Sequence, residues 1–176
     1  MNLPLSRVEH TLPPVYDAHS RVLILGTMPS PKSREAGFYY SHPQNRFWKV
    51  MARLLNAPLP QTNEEKRALL LSSHIALWDV LSSCLIAGAD DGSIREPRPN
   101  DIAGLLTRAP IAAVYTTGAK AAALYRRLIL PQTGVEAATL PSTSPANCRY
   151  HNLDTLTEAY RVILPHLHLP VREDAL

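Results

Sequence analysis

Cysteine is scarce in this chain: only Cys84 and Cys148 occur among 176 residues. They form no CxxC or other spaced pair, which argues against both a disulfide framework and a structural zinc site. Long apolar runs are missing as well. None approaches the ~20 residues needed to cross a bilayer. The opening MNLPLSRVEHTLPPV puts charges and prolines where a secretory leader needs an apolar stretch. Nor is there an excess of one charge. The formal net charge is +3 at pH 7, compatible with a nucleic-acid partner yet common among unrelated enzymes. Glycines number 7 against 16 prolines, so the connections are stiff. The expectation is an intracellular protein without a membrane segment, its residues 1–176 forming one domain with a proper core.

What is present reads as strands alternating with helices. Arg21-Val-Leu-Ile-Leu-Gly26 is a short branched apolar run ending in glycine, the pattern of a buried parallel strand. A loop follows from Thr27 to Gln44, long enough to suggest function. From Arg46 to Asn56, Phe47, Val50, Met51, Leu54 and Leu55 fall on one helix face, with Arg46, Lys49 and Arg53 outside it. A second helix is predicted over 64–72 with Asn63 as its cap. Further strands are predicted over 75–80, 111–116 and 135–140. Helices are predicted from Asn100-Asp101, over 118–128, and after Asn152. The segment 1–13 reads as an irregular arm, 88–100 as a polar loop, and 166–176 as a mobile tail. Alternating strands and helices imply a three-layer α/β/α fold around a four-stranded parallel sheet. Ligands bind beyond the carboxyl ends of such strands. That places Gly26–Ser30, Asp79 and Pro141–Asn147 around one crevice.

Four segments carry candidate chemistry. Gly26-Thr-Met-Pro-Ser-Pro-Lys-Ser33 approaches a phosphate loop but has Pro31 where the second glycine belongs. Proline lacks both the N–H and the positive φ that a phosphate cradle uses. Phe38, Tyr39 and Tyr40 are consecutive aromatics in a loop, where some can anchor the chain and others can stack on a base. Asn45 stands before an amphipathic helix, where asparagine is a favoured cap, and His42 lies just upstream in the loop. Pro141-Ser-Thr-Ser-Pro-Ala-Asn147 clusters hydroxyls after a predicted strand, suited to phosphate oxygens. Asp79 offers a carboxylate at a strand end, either for acid–base work or to fix the following turn. His166 and His168 have too few partners nearby for a metal site.

Taken together, LILGTMPS, GFYYSHPQNRFWKVM, LWDVL, PNDI and LPSTSPAN resemble the uracil-DNA glycosylase superfamily. Within it, the hypoxanthine-DNA (deoxyinosine) glycosylase branch is the most similar. The resemblance implies a four-stranded parallel sheet between helices, with no metal and no cofactor. The first superfamily motif falls on Gly26, Thr27, Met28, Pro29 and Ser30, which would meet the base. The asparagine that mismatch-uracil relatives carry there is Met28 in this chain, and a thioether cannot orient water. The resemblance moves the catalytic role to Asn45. It makes Tyr40 the aromatic that stacks on the flipped base. The second motif falls on Leu140–Pro145, with Leu140 replacing a polar residue. Ser142, Thr143 and Ser144 would then grip phosphate and fill the gap left by the extruded nucleotide.

The implied reaction is hydrolysis of the N-glycosidic bond of hypoxanthine in DNA, after the nucleotide has left the stack. Asn45 would hold a water through its amide oxygen, and no lysine stands at the expected pocket to cleave the strand. The partner would be DNA containing a deaminated base, and the protein a monomer. A uracil or broad deaminated-base glycosylase is the alternative within the class. A non-catalytic DNA- or nucleotide-binding domain is the alternative outside it.

Overall fold

The computed structural model describes residues 3–168. In chain order the elements are β1 (Ser6–Glu9), β2 (Val22–Gly26), α1 (Pro31–Ala36), α2 (Phe47–Leu54), α3 (Asn63–Ser72), β3 (Ile75–Asp79), β4 (Leu81–Ala87) and β5 (Asp90–Pro99). They continue with α4 (Ile102–Arg108), β6 (Ala113–Thr117), α5 (Ala119–Leu128), α6 (Leu130–Thr133), β7 (Ala137–Leu140) and α7 (Leu153–Tyr160), then a 3-10 turn over Arg161–His166.

The central sheet runs β3-β2-β6-β7 with every pairing parallel, the three-layer architecture that the alternation predicts. Along β2, Val22 and Ile24 pack among Phe47, Met51, Leu156 and Tyr160. Leu23 and Leu25 face the other way, among Ile102, Leu105, Leu124 and Tyr125. A strand covered on both faces has to be apolar throughout, which is why VLILG shows no alternation.

A second sheet, antiparallel in the order β1-β4-β5, packs on the outside. It corrects two expectations. The arm 1–13 contains β1, paired from Ser6↔Ile86 to Glu9↔Ser83. The loop 88–100 is mostly β5, hairpinned to β4 through Gly88. Each strand buries little: β1 only Val8 and β5 only Ile94. Register shifts interrupt the hairpin ladder, so no period-2 signal survives in the sequence.

Smaller corrections follow from capping chemistry. The long loop after β2 contains α1, with the Ser30 hydroxyl accepting from the Ser33 N–H, Pro31 in the first turn, and Gly37 at φ 75° ending it. The cap of α3 is Thr62, not Asn63, and it forms a reciprocal capping box with Glu65. At the C-terminal end, His166 closes the 3-10 turn and Leu167 is buried, its carbonyl meeting His74 Nδ1 at 3.0 Å. The expected tail is therefore ordered through these two residues, and its remainder over 169–176 lies outside the described residues. Among the described residues no helix is long and apolar enough to cross a membrane.

Candidate active site

The carboxyl ends of β2, β3 and β6 open into one cleft of about 550 Å³. All ten residues predicted for the site line it: Gly26, Thr27, Met28, Pro29 and Ser30, then Tyr40 and Asn45, and Ser142, Thr143 and Ser144. Asp79 lines it too. His42 does not. Its carbonyl accepts from the Asn45 N–H and its Nδ1 from the Gln44 N–H, which makes it a turn former.

The aromatic run divides its work. Phe38 and Tyr39 are buried, and the Tyr39 hydroxyl donates to the Pro13 carbonyl at 2.8 Å. Both anchor the loop. Tyr40 adopts φ 53°, a left-handed backbone rare for a bulky residue and often found at functional sites. One face of its ring stacks on Phe47 at 4.1 Å, and its hydroxyl meets Thr117 Oγ1 at 3.2 Å. The cleft therefore receives its other face and its hydroxyl edge. Burial, and after it the negative charge of Asp79, hold both tyrosine hydroxyls well above their ordinary pKa, so neither ionises in use.

Asn45 is fixed at its oxygen. Oδ1 accepts from the Phe47 N–H at 2.9 Å and from the Thr143 hydroxyl at 2.9 Å. The Phe47 N–H can only donate, so the atom facing it is the amide oxygen and the free end is Nδ2. This corrects the expectation that the oxygen holds a water, because both of its lone pairs are taken. What Asn45 offers the cleft is a donor. Leu140, at the position of the missing polar residue, is buried in the core and leaves that task to others.

Thr143 changes role for the same reason. Thr143 is 1% exposed and its hydroxyl is turned to Asn45, away from a role in gripping phosphate and toward one in holding the amide. Ser142 and Ser144 fit the grip better. Their hydroxyls accept from the N–H groups of Ser144 and Ala146, which leaves each O–H hydrogen free for an anionic oxygen.

Behind the first motif, the Gly26 and Thr27 carbonyls accept from the N–H groups of Val80 and Leu81. Beside Gly26 lies a buried carboxylate, Asp79. Its Oδ2 meets His10 Nε2 at 2.8 Å, and these side chains are 1% (His10) and 5% (Asp79) exposed. Among the described residues no donor reaches Oδ1, which lies against Gly26 at the cleft floor.

Reading the sequence missed His10, Thr117 and Arg46. Arg46 caps α2 from outside its apolar face, and its guanidinium reaches the carbonyls of His151 and Ser144 and ties down the serine loop. His10 carried no signal in a proline-containing arm. Among the described residues no cluster of three or more His, Cys, Asp or Glu side chains could hold a metal ion.

Residues 13–168 match the family model of the uracil DNA glycosylase superfamily. A protein of Methanosarcina acetivorans named hypoxanthine DNA glycosylase is 32% identical over 144 residues, covering 81% of this chain and 90% of that one. One of the same name from Methanosarcina barkeri is 33% identical over 138 residues, covering 78% and 87%. A solution NMR structure from Methanosarcina acetivorans, described as a candidate uracil DNA glycosylase, superposes with a TM-score of 0.78 at 29% identity. It covers 92% of this chain and 99% of its own.

Proposed function

Because this chain belongs to the uracil DNA glycosylase superfamily, we propose that it is a monofunctional glycosylase, acting as a one-domain monomer inside the cell, that releases hypoxanthine from DNA. The observation that carries the reading is the amide of Asn45, a cleft-lining residue whose oxygen is held by the Phe47 N–H and the Thr143 hydroxyl, which leaves its NH₂ end as the free donor.

The chemistry follows from where charge develops. As the glycosidic bond lengthens, the sugar becomes an oxocarbenium ion and the purine an anion. A fixed donor aimed at the departing base is stronger in that transition state than in the ground state. Asn45 Nδ2 is such a donor. Its pre-orientation by Thr143 and the Phe47 N–H removes the reorganisation a mobile amide would need. The oxocarbenium ion needs only a weak nucleophile, so an ordinary water suffices to complete hydrolysis.

The extruded base enters edge first while its sugar stays at the mouth. Its face lies on Tyr40, and its far edge arrives at Asp79. A carboxylate oxygen accepts the N1–H of hypoxanthine and repels the bare N1 of adenine. Gly26 permits this approach: a Cβ there would stand 2.5 Å from Asp79 Oδ1 and 3.1 Å from the Tyr40 hydroxyl. Ser142 and Ser144 hold the flanking phosphates. Among the described residues no lysine lines the cleft, so a Schiff base with the abasic sugar has no candidate and the strand stays intact.

The test is a duplex containing one inosine, incubated with the protein in EDTA and then treated with alkali. Cleavage only after alkali, faster than from a matched uracil duplex, is the expected result. Lesion binding without an abasic product would replace the reading with a binding module, and faster uracil release would promote a uracil glycosylase.

A further inference from the structure

The N-terminal strand delivers a residue to the site that the mechanism above does not use. His10 directly follows β1, with its N–H on the Ser82 carbonyl at 2.7 Å. Its ring lies 5.9 Å from that of Tyr39, and its Nε2 meets Asp79 Oδ2. The pair is almost wholly shielded from water, and the two residues stand 69 positions apart in sequence. Such a pair costs desolvation and contributes little stability that apolar packing could not. It does define which oxygen of Asp79 is occupied and which is free.

We infer that His10 is a positioning residue for base selection, which fixes Asp79 through Oδ2 so that Oδ1 faces the cleft as a hydrogen-bond acceptor. The inference rests on the glycosylase reading, because it assigns Asp79 to the N1 edge of the base.

The chemistry runs through the placement of the carboxylate. Facing a carboxylate, Nε2 has to carry a hydrogen and donate it. Without that donor nothing fixes Oδ2, and the carboxylate is free to turn so that Oδ1 leaves the place where the N1–H of hypoxanthine needs an acceptor. A purine whose N1 is bare makes no use of that acceptor and is relieved of a repelling oxygen. Losing His10 thus removes the acceptor for the N1 edge while the Asn45 donor stays as it was.

The test compares His10→Ala and His10→Gln in single-turnover release of hypoxanthine and of unsubstituted purine, whose N1 is a bare acceptor. Thermal melting and duplex affinity are measured alongside. Gln carries an amide N–H at about the reach of Nε2, so it keeps the donor without the ring. Expected for His10→Ala is a loss of about ten- to a hundredfold on hypoxanthine, an unchanged or raised rate on purine, and unaltered duplex affinity. His10→Gln should recover most of the loss. Equal losses on both bases, an unchanged hypoxanthine rate, or a folded His10→Gln as impaired as His10→Ala would overturn the inference. Should His10→Ala not fold, His10→Gln alone decides: it has to retain the preference for hypoxanthine over purine. A wild-type protein that releases no hypoxanthine would fail the glycosylase reading itself, and the inference with it. Failure confined to the variants leaves that reading standing.

Discussion

In the parallel sheet every residue of β2 is buried, whereas the ten residues of β5 in the antiparallel sheet bury Ile94 alone. Both sheets reach the cleft, and they bring different things to it. The loops beyond β2 and β7 carry Tyr40, Asn45 and the two serines, the groups to which the proposed reaction assigns base, bond and phosphate, and Thr143, which holds Asn45. The antiparallel sheet brings the hairpin tip Gly88–Gly92 to the lining and, behind it, His10 against Asp79. The two meet at Asp79, which ends β3 and is separated from β4 by Val80 alone. A rigid apolar sheet is suited to holding reacting groups in place. A thin outer sheet, free of that duty, can shape what enters.

The sharpest way to break this division is at Asn45. Asn45→Ala removes the donor and should lower single-turnover excision by about a hundred- to a thousandfold, with duplex binding preserved. The N-cap of α2 is Arg46, not Asn45; what Asn45→Ala loses is the bonds from the Phe47 N–H and the Thr143 hydroxyl, at about 1–3 kcal/mol of stability, read by denaturant titration. Asn45→Asp separates two chemistries. Aspartate can still accept from the Phe47 N–H and so keeps the fold, but it places a negative charge beside a departing anion. It should excise as poorly as Asn45→Ala. An active, folded Asn45→Asp would restore the amide oxygen as the working atom.

At the junction of the sheets, Gly26→Ala tests whether Asp79 and Tyr40 need their present places. The added methyl meets Asp79 Oδ1 at 2.5 Å and the Tyr40 hydroxyl at 3.1 Å, so one of them has to move. The expected cost is about 1–3 kcal/mol in denaturant unfolding, with hypoxanthine release falling further than that loss of stability explains. A stable, fully active variant would show that neither group reads the base.

On the outer face of the antiparallel sheet the effect should nearly vanish. Arg7 pairs with Glu96 between exposed strands, and surface pairs contribute about 0–1 kcal/mol. Arg7→Ala should shift the denaturation midpoint by no more than that and leave excision unchanged. A large loss of activity would mean that this sheet does more than shape the mouth.

The same contrast explains what could be read from the sequence. The parallel sheet was legible because double burial leaves an apolar run in VLILG and in the first four residues of β3, Ile75 to Trp78. The predicted cleft residues were legible because they cluster in three short motifs. Thr62 was missed although Glu65 three residues later spelled out its capping box. β1 and β5 were illegible for a different reason: their pairing is decided by partners elsewhere in the chain and by an irregular hairpin ladder. His10 was illegible because a histidine acquires its meaning only when folding brings Asp79 to it. The Asn45 oxygen was misread because a hydrogen bond from Thr143, 98 positions away, is invisible to local spacing.

The smallest expected effect lies at the hairpin tip. Asp91 stands at the cleft rim, and burial first of all raises its carboxyl pKa above the ordinary 3.8. A raised folded-state pKa means that ionising Asp91 costs the folded state more than the unfolded one. Stability from this residue is therefore complete below its unfolded pKa and is lost as the pH rises through its folded value. A neutral amide in its place carries no such penalty, so Asp91→Asn should match wild type in acid and exceed it at neutral pH, by about 0.5 kcal/mol or less. Denaturant unfolding at pH 3 and pH 7 checks the sign. A gain in acid, or a loss at neutrality, would show that the Asp91 charge is held by a favourable partner and that the hairpin tip is fastened to the cleft rather than resting on it.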